Sequence, residues 1–241
     1  MDSYIDIHSH ILPGIDDGAE NFETSMDMLR AAWNDGIREI ILTPHNKPSH
    51  HNAGPEKISL LIKELRNKAQ GEGIGMAFHM GNEMYYGSDM TERLEERRAL
   101  TMAGSAYVLV EFGMGDDPDH IRYGLYEVLS HGYHPILAHV ERYGRMLMKT
   151  ERVEDLVRMG CYIQVNAGSV MGCFGFGAKQ FTRRLLSQGL VHFVATDAHD
   201  MGKRRPALLE CAEYVGRKYG EEYAKRLFKE NPRRVIQNDY I

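Results

Sequence analysis

Seven short apolar runs alternate with helical periods along this chain, and six of the seven end in a histidine, glutamate or aspartate. Alternating β and α segments specify a parallel sheet with helices packed outside it. Strands are predicted over residues 4–8, 37–43, 76–80, 106–110, 135–138, 162–165 and 192–195. Helices are predicted over 22–34, 57–70, part of 84–100, 120–129, 153–159 and 179–188, with two more amphipathic helices after about 205. The first of these has Asn21 as N-cap and Glu23 in its first turn, with Met26, Leu29, Ala32 and Trp33 on one face. The second carries Ile58, Leu61, Ile62 and Leu65 in register. The methionines read as core packing. A doubly wound open sheet is the alternative, but the first βα turn lacks G-x-G-x-x-G. A distorted (β/α)7 barrel with additional C-terminal helices is therefore expected, as one domain over residues 1–241.

In such a barrel the C-terminal ends of the strands converge on one mouth, where catalysis is located. The first strand delivers His8 and His10, with Asp17 just beyond. Later strand ends deliver His45, Glu83, Glu111 and His139, and the seventh delivers Asp197 and His199. An isolated H-x-H is more often a hydrogen-bonded pair in a buried strand, although its spacing puts both rings on one face about 7 Å apart. Five further strand ends change that reading to a polynuclear metal site. Imidazole and carboxylate without thiolate suit Mn, Fe or Zn. Carboxylates that bridge ions favour clusters with metals about 3.5–4 Å apart, which activate a bridging hydroxide and bind both oxygens of an in-line displacement. Phosphate esters are the substrates that use this chemistry most. Arg142 follows His139 by three residues and Arg204 follows His199 by five, so both guanidinium forks fall at the mouth, where they suit phosphate oxygens.

Composition excludes several classes. A net charge of −5 gives no basic surface for nucleic acid. No apolar run approaches the roughly 18 residues of a membrane span, and a strand beginning at Tyr4 leaves no room for a signal peptide. Cys161, Cys173 and Cys211 are too few and too scattered for a disulfide framework, so a cytoplasmic location is expected. Cys211 and Arg217 match the C-x5-R string of cysteine-dependent tyrosine phosphatases, but Leu208, Leu209, Ala212 and Val215 put that string inside a helix, where no phosphate-cradling loop can form. His79 reads as structural, while His50, His51, His120, His131, His134 and His192 read as surface or helix-flanking. The glycine-rich segment 172–177 reads as a loop over the site. Asp6 reads as lying one layer below the ligands, orienting a histidine ring.

The stretches DIHSHILPGIDDGA, ILTPHN, GNEMYY, YVLVEF, PILAHVERY, YIQVNAGSVMGCFG and FVATDAHDMGKRRP span Asp6 to Pro206. Together they resemble the polymerase-and-histidinol-phosphatase (PHP) superfamily of metal-dependent phosphoesterases, and within it the bacterial manganese-dependent protein-tyrosine phosphatases of capsule and exopolysaccharide operons. The resemblance implies a three-metal site, with Mn expected and Fe or Zn possible. His8, His10, Glu83 and Asp197 would hold the first ion. Glu83, Glu111 and His139 would hold the second, with Glu83 bridging, and Asp17, His45 and His199 the third. Arg142 and Arg204 would bind the substrate phosphate, with Arg205 able to replace Arg204. The implied activity is phosphotyrosine hydrolysis by a metal-bridged hydroxide, on a protein such as an autophosphorylated bacterial tyrosine kinase. The segment 46–55 departs most from the family pattern, which leaves the entrance loop and His50 and His51 unassigned. Two rivals remain: a small-molecule phosphatase such as histidinol-phosphate phosphatase on the same fold, and a non-catalytic metal-binding kinase regulator.

Overall fold

The computed structural model describes residues 3–144 and 149–241. The strand and helix order is β1 (Tyr4–Asp6), α1 (Phe22–Asn34), β2 (Ile37–Leu42), β3 (His45–Asn46), α2 (Pro55–Gly71), β4 (Ala77–Met80), β5 (Glu83–Tyr85), α3 (Met90–Glu95), β6 (Tyr107–Glu111), α4 (Pro118–Ser130) and β7 (His134–Leu137). It continues through α5 (Thr150–Met159), β8 (Tyr162–Asn166), α6 (Ala167–Met171), α7 (Phe176–Ser187), β9 (Phe193–Ala195), α8 (Leu209–Tyr219), α9 (Glu221–Lys225) and α10 (Asn231–Gln237). Two of the seven expected strands are each broken into two pieces. β2 and β3 are one strand interrupted at Thr43-Pro44, and β4 and β5 are one interrupted at Gly81-Asn82. All ladders are parallel: β1, β2 and β4 pair in that order, and β3, β5, β6, β7, β8 and β9 follow one another. A parallel bridge between Ser9 and Ala198 joins the first strand's extension to the last, giving the expected distorted barrel of seven strands.

Side-chain alternation builds two cores. Ile5, Ile7, Ile41, Leu109, Ile136 and Phe193 fill the barrel interior. Their neighbours Tyr4, Ile40, Leu42, Val108, Leu137 and Val194 face outward against the helices. The helix α1 has the predicted limits; the Asn21 side chain accepts from Thr24 N–H at 3.0 Å. Its buried face is Ser25, Met26, Met28, Leu29 and Ala32, while Trp33 is half-buried beneath the Arg38 guanidinium at 3.8 Å. In α2 the buried residues are Ile58, Ile62, Leu65 and Ala69, so Leu61 sits at the edge of the stripe. Segment 84–100 is helical in part, as expected, over the short α3, and it also contains a strand piece, β5.

The C-terminal helices close the barrel floor. α9 and α10 run through an intervening π-helical segment, Arg226–Glu230, as one bent rod. Val235 reaches into the interior core, the Tyr107 hydroxyl donates to the Asp239 carbonyl (2.8 Å), and the Asn231 amide donates to the His192 carbonyl (2.8 Å). The start of α8 is capped at long range, because Asp35 accepts from the N–H groups of Leu208 (2.5 Å) and Leu209 (2.8 Å).

Candidate metal centre

Strand polarity puts the nine expected ligands at one end of the barrel. Along β6 the inward residues are Tyr107, Leu109 and Glu111, and along β9 Phe193 and Ala195 lead to Asp197. The same period of two that fills the interior with apolar side chains delivers a carboxylate at its last step. The turn after His10 returns over it: Gly18 N–H bonds Asp16, and a Cβ on Gly18 would lie 2.0 Å from the His10 carbonyl oxygen. Only glycine fits there, and this packing lodges Asp16 and Asp17 beside the histidines. His139 (φ 31°) and Asp197 (φ 52°) both adopt left-handed backbone, an uncommon conformation that marks strain at the mouth.

Glu83 is the hub. Its two oxygens lie near Nε2 of His139 (2.9 Å), Nδ1 of His45 (3.0 Å), Nε2 of His8 (3.3 Å) and Nε2 of His10 (3.3 Å), and the residue is 1% exposed. Glu111 stands 3.5 Å from His139 and 3.6 Å from His45. Asp17 lies 3.1 Å from His45 Nε2 and 3.4 Å from His199 Nε2. Ligand-capable atoms fall into three groups: His10, Asp17, His45 and His199; His8, His10 and Asp197; and His45, Glu83 and Glu111. Both arginines lie on Asp197, Arg204 at 2.6 Å and Arg142 at 3.4 Å. Arg205 is exposed.

The tautomers decide whether a cation fits. His8 Nδ1 lies 3.2 Å from the Gln164 side-chain oxygen, His10 Nδ1 lies 2.8 Å from Asp16, and His199 Nδ1 lies 3.0 Å from the Asp197 carbonyl. Each of these partners only accepts, so each Nδ1 carries the hydrogen and each neutral ring turns a lone pair outward from Nε2. Yet Nε2 of His8 and of His10 face each other at 3.2 Å, and Nε2 of His199 faces the Asp17 carboxylate without a hydrogen bond. Acceptors facing acceptors require a proton or a metal ion among them. The protonation tendencies agree. Burial disfavours a charged His10, but Asp16 and Glu83 outweigh it and push the pKa up to about 9. Burial acts likewise on His45 and His139, where Asp17 with Glu83, and Glu111 with Glu83, raise them to about 10. Glu83 and Asp197 resist their own burial and are held low by His8 and its neighbours. Thus the donor set fits divalent ions, which would replace those protons.

The supporting layer differs from expectation. Asp6 binds the Thr196 N–H (3.0 Å), the Thr196 hydroxyl (2.5 Å) and the His8 N–H (3.3 Å), and among the described residues no imidazole nitrogen. Strand β1 ends at Asp6, with Ile5 and Ile7 facing the interior, so the alternation that would align it with His8 is broken. Burial raises its pKa to about 6 against those bonds. The ring-orienting partners are Asp16 and Gln164. The Gln164 amide nitrogen donates to Asn166, and Asn166 donates to Asp197 at 2.7 Å. Their signal was present: Gln164 and Asn166 alternate inward on the one strand that ends without an ionisable group.

The remaining histidines lie outside the cluster. His50 and His51 are exposed on their loop, and His120 and His131 flank or belong to α4. His79 is half-buried, 3.4 Å from Glu39. The surface reading fails for His192, whose Nδ1 accepts the Ile163 N–H at 3.1 Å and whose ring meets Tyr162 edge-on. His134 is half-buried between Tyr107 and Tyr240. Segment 172–177 turns back on α6, where a Cβ on Gly168 would lie 2.8 Å from the Phe174 ring. Cys211 is 2% exposed inside α8, and burial pushes its thiol pKa well up. The three cysteines are free.

A family model described as "Capsular polysaccharide synthesis, CpsB/CapC" matches residues 4–237. The tyrosine-protein phosphatase CpsB of Streptococcus pneumoniae is 35% identical over 242 residues, covering 98% of this chain and 100% of the relative. Crystallography of YwqE from Bacillus subtilis and CpsB from Streptococcus pneumoniae, described as unique metal-dependent tyrosine phosphatases, provides a chain that superposes with a TM-score of 0.92. It is 33% identical and covers 98% of this chain and 96% of its own. A histidinol phosphate phosphatase from Lactococcus lactis subsp. lactis shares the fold, at a TM-score of 0.58 and 12% identity over 91% of this chain and 93% of its own.

Proposed function

The chain belongs to the CpsB/CapC capsular polysaccharide synthesis family, and from that premise we propose that it is a metal-dependent protein-tyrosine phosphatase, a single phosphatase domain over residues 1–241. One observation carries the metal dependence: Nε2 of His8, His10 and His199 converge on one another and on the carboxylates of Glu83 and Asp17, an arrangement that needs a proton or a metal ion among them. The ligand sets of the reading are His8, His10, Glu83 and Asp197; Glu83, Glu111 and His139; and Asp17, His45 and His199. The contacts of Glu83 with four imidazoles support its bridging place. Three divalent ions, with Mn first and Fe or Zn as substitutes, complete the proposal. Bound there, they supply Lewis acidity and a water of lowered pKa.

The chain's own residues do the rest. Arg204 and Arg142 each spend one nitrogen on Asp197 and retain others of the guanidinium fork for phosphate oxygens. Asp197 thereby fixes both arginines relative to the ligands, so charge developing on the equatorial oxygens meets preorganised donors. The phenolate of phosphotyrosine leaves readily and makes little demand on an acid. An autophosphorylated tyrosine kinase in the cytoplasm is the substrate of this proposal. No described helix is long and apolar enough to cross a membrane.

The test uses metal-stripped protein re-fed Mn, Fe or Zn in turn, assayed on a phosphotyrosine peptide and on histidinol phosphate. Metal-dependent turnover of the peptide, well above that of histidinol phosphate, is expected. Activity indifferent to chelation defeats the metal mechanism. Preference for histidinol phosphate defeats the substrate assignment, and metal-loaded protein inert on every aryl phosphate would make it a binding module.

A further inference from the structure

Beside the mouth lies a second cavity of about 590 Å³ whose lining includes Asn46, His50, His51, Arg93, Arg97 and Arg98. It borders the metal centre along strand β3, where Asn46 of its lining directly follows His45. The wall is preformed. Asn52 bonds both the N–H and the carbonyl of Lys47 (2.8 and 2.7 Å), which closes the loop carrying the two histidines. Arg93, 3% exposed, holds Asn46 and the Tyr85 carbonyl and lies 3.2 Å from Asp89, so its role is to fix the wall. Arg98 is engaged by Glu92 and Glu96.

That leaves two unpaired side chains. The side chains of Arg97 and His51 make no hydrogen bond or ion pair among the described residues, and both are exposed. Arg97 follows the C-cap of α3 at φ 57°, the left-handed turn that ends the helix, with the Arg98 N–H donating to the Arg93 carbonyl at 2.8 Å. The start of the 17-residue helix α2 opens into the same cavity, with Gly54 as an N-cap that offers no side-chain bond. Glu56 is the single carboxylate of the lining.

Resting on the phosphatase reading, we infer that this cavity is a substrate subsite that takes an anionic side chain flanking the phosphotyrosine, with Arg97 and His51 as its specificity-determining residues. A peptide whose phosphotyrosine enters the mouth continues across His45 and Asn46, and its next residues rise about 3.3 Å each in extended form. A carboxylate or a second phosphate arriving there meets the unpaired Arg97 guanidinium and the His51 imidazole, both hydrogen-bond donors. A cluster of phosphorylatable or acidic residues is thereby selected, and a lone small phosphate ester is not.

The metal-loaded full chain is assayed on matched phosphotyrosine peptides with neutral flanks, with glutamate flanks and with a second phosphotyrosine, and on p-nitrophenyl phosphate. The wild type should favour an anionic flank by about tenfold in KM, an effect that shrinks with salt. Arg97→Asn, which tolerates the left-handed backbone, combined with His51→Gln should abolish that preference. Turnover of the neutral peptide and of p-nitrophenyl phosphate should stay within about twofold. Glutamate and phosphate arms show which anion the subsite prefers. An unchanged preference in the double variant, or no preference in the wild type, overturns the subsite while leaving the phosphatase reading intact. Failure to hydrolyse any of the four substrates overturns both.

Discussion

The two ends of the barrel hold histidines in opposite states. At the mouth, His10, His45 and His139 stand among carboxylates and are pushed up to about 9 or 10. At the floor, His192 is packed against Tyr162 and accepts a backbone N–H, and burial lowers it to about 4. Burial disfavours the charged ring at both ends. What differs is the neighbour, a carboxylate in one case and a peptide N–H in the other. A histidine count cannot tell these apart. The strand end on which the residue sits can, because ligands belong at C-terminal strand ends in this architecture.

The largest effect is expected at the hub. Glu83→Gln removes the carboxylate that four imidazoles share. Metal content after gel filtration should collapse, with a loss of affinity beyond the roughly 10–100-fold typical of residues outside the ligand shell. Full metal retention would break the contrast at its root. Next comes Arg204→Ala, for which phosphotyrosine turnover should fall by about 100–1,000-fold, as for removal of one preorganised donor. Arg142→Ala should cost less, since its contact with Asp197 is longer and its side chain is 36% exposed against 23%. Asp16→Asn tests orientation alone: metal affinity, read by competition with a chelator, should drop about 10–100-fold although Asp16 is not among the proposed ligands.

The floor should respond to pH rather than to metal. Folded His192 stays neutral down to about pH 4, whereas its ordinary pKa is 6.5. Between those values the unfolded chain binds more protons, so stability is present above 6.5 and is lost as pH falls towards 4. The loss is up to about 3 kcal/mol. Denaturant unfolding at several pH values should show a shallower dependence for His192→Gln, with metal affinity unchanged. Equal slopes for the two proteins would defeat this account. The smallest effect belongs to Cys211→Ser, whose turnover should match the wild type, because its thiol lies inside a helix and away from the mouth.

Much of the frame was legible locally. The limits of α1 followed from Asn21, the apolar period and the stop near Gly36. The proposed ligands followed from strand ends, because a strand fixes side-chain direction within a few residues. Where the period broke, the reading broke with it. β1 stops at Asp6, so extrapolating alternation to His8 misassigned the aspartate. Segment 84–100 hid a strand piece because three residues carry no period. His192 read as a surface or helix-flanking residue, and the C-terminal helices cover it in part, with Asn231 bonded to its carbonyl.

By itself, then, the sequence determined the β/α alternation, the polarity of the strands and the nine side chains that meet at one mouth. These depend on local periods of 2 and 3.6 residues. Tertiary structure decided what those side chains face. The closing register at Ser9 and Ala198 sets His8 beside Asp197. Gln164 reaches His8 across 156 positions of sequence, and the loop at 47–52 meets Arg97 over a cavity. Such pairings depend on how a closed sheet brings distant strands together, and no local pattern encodes them.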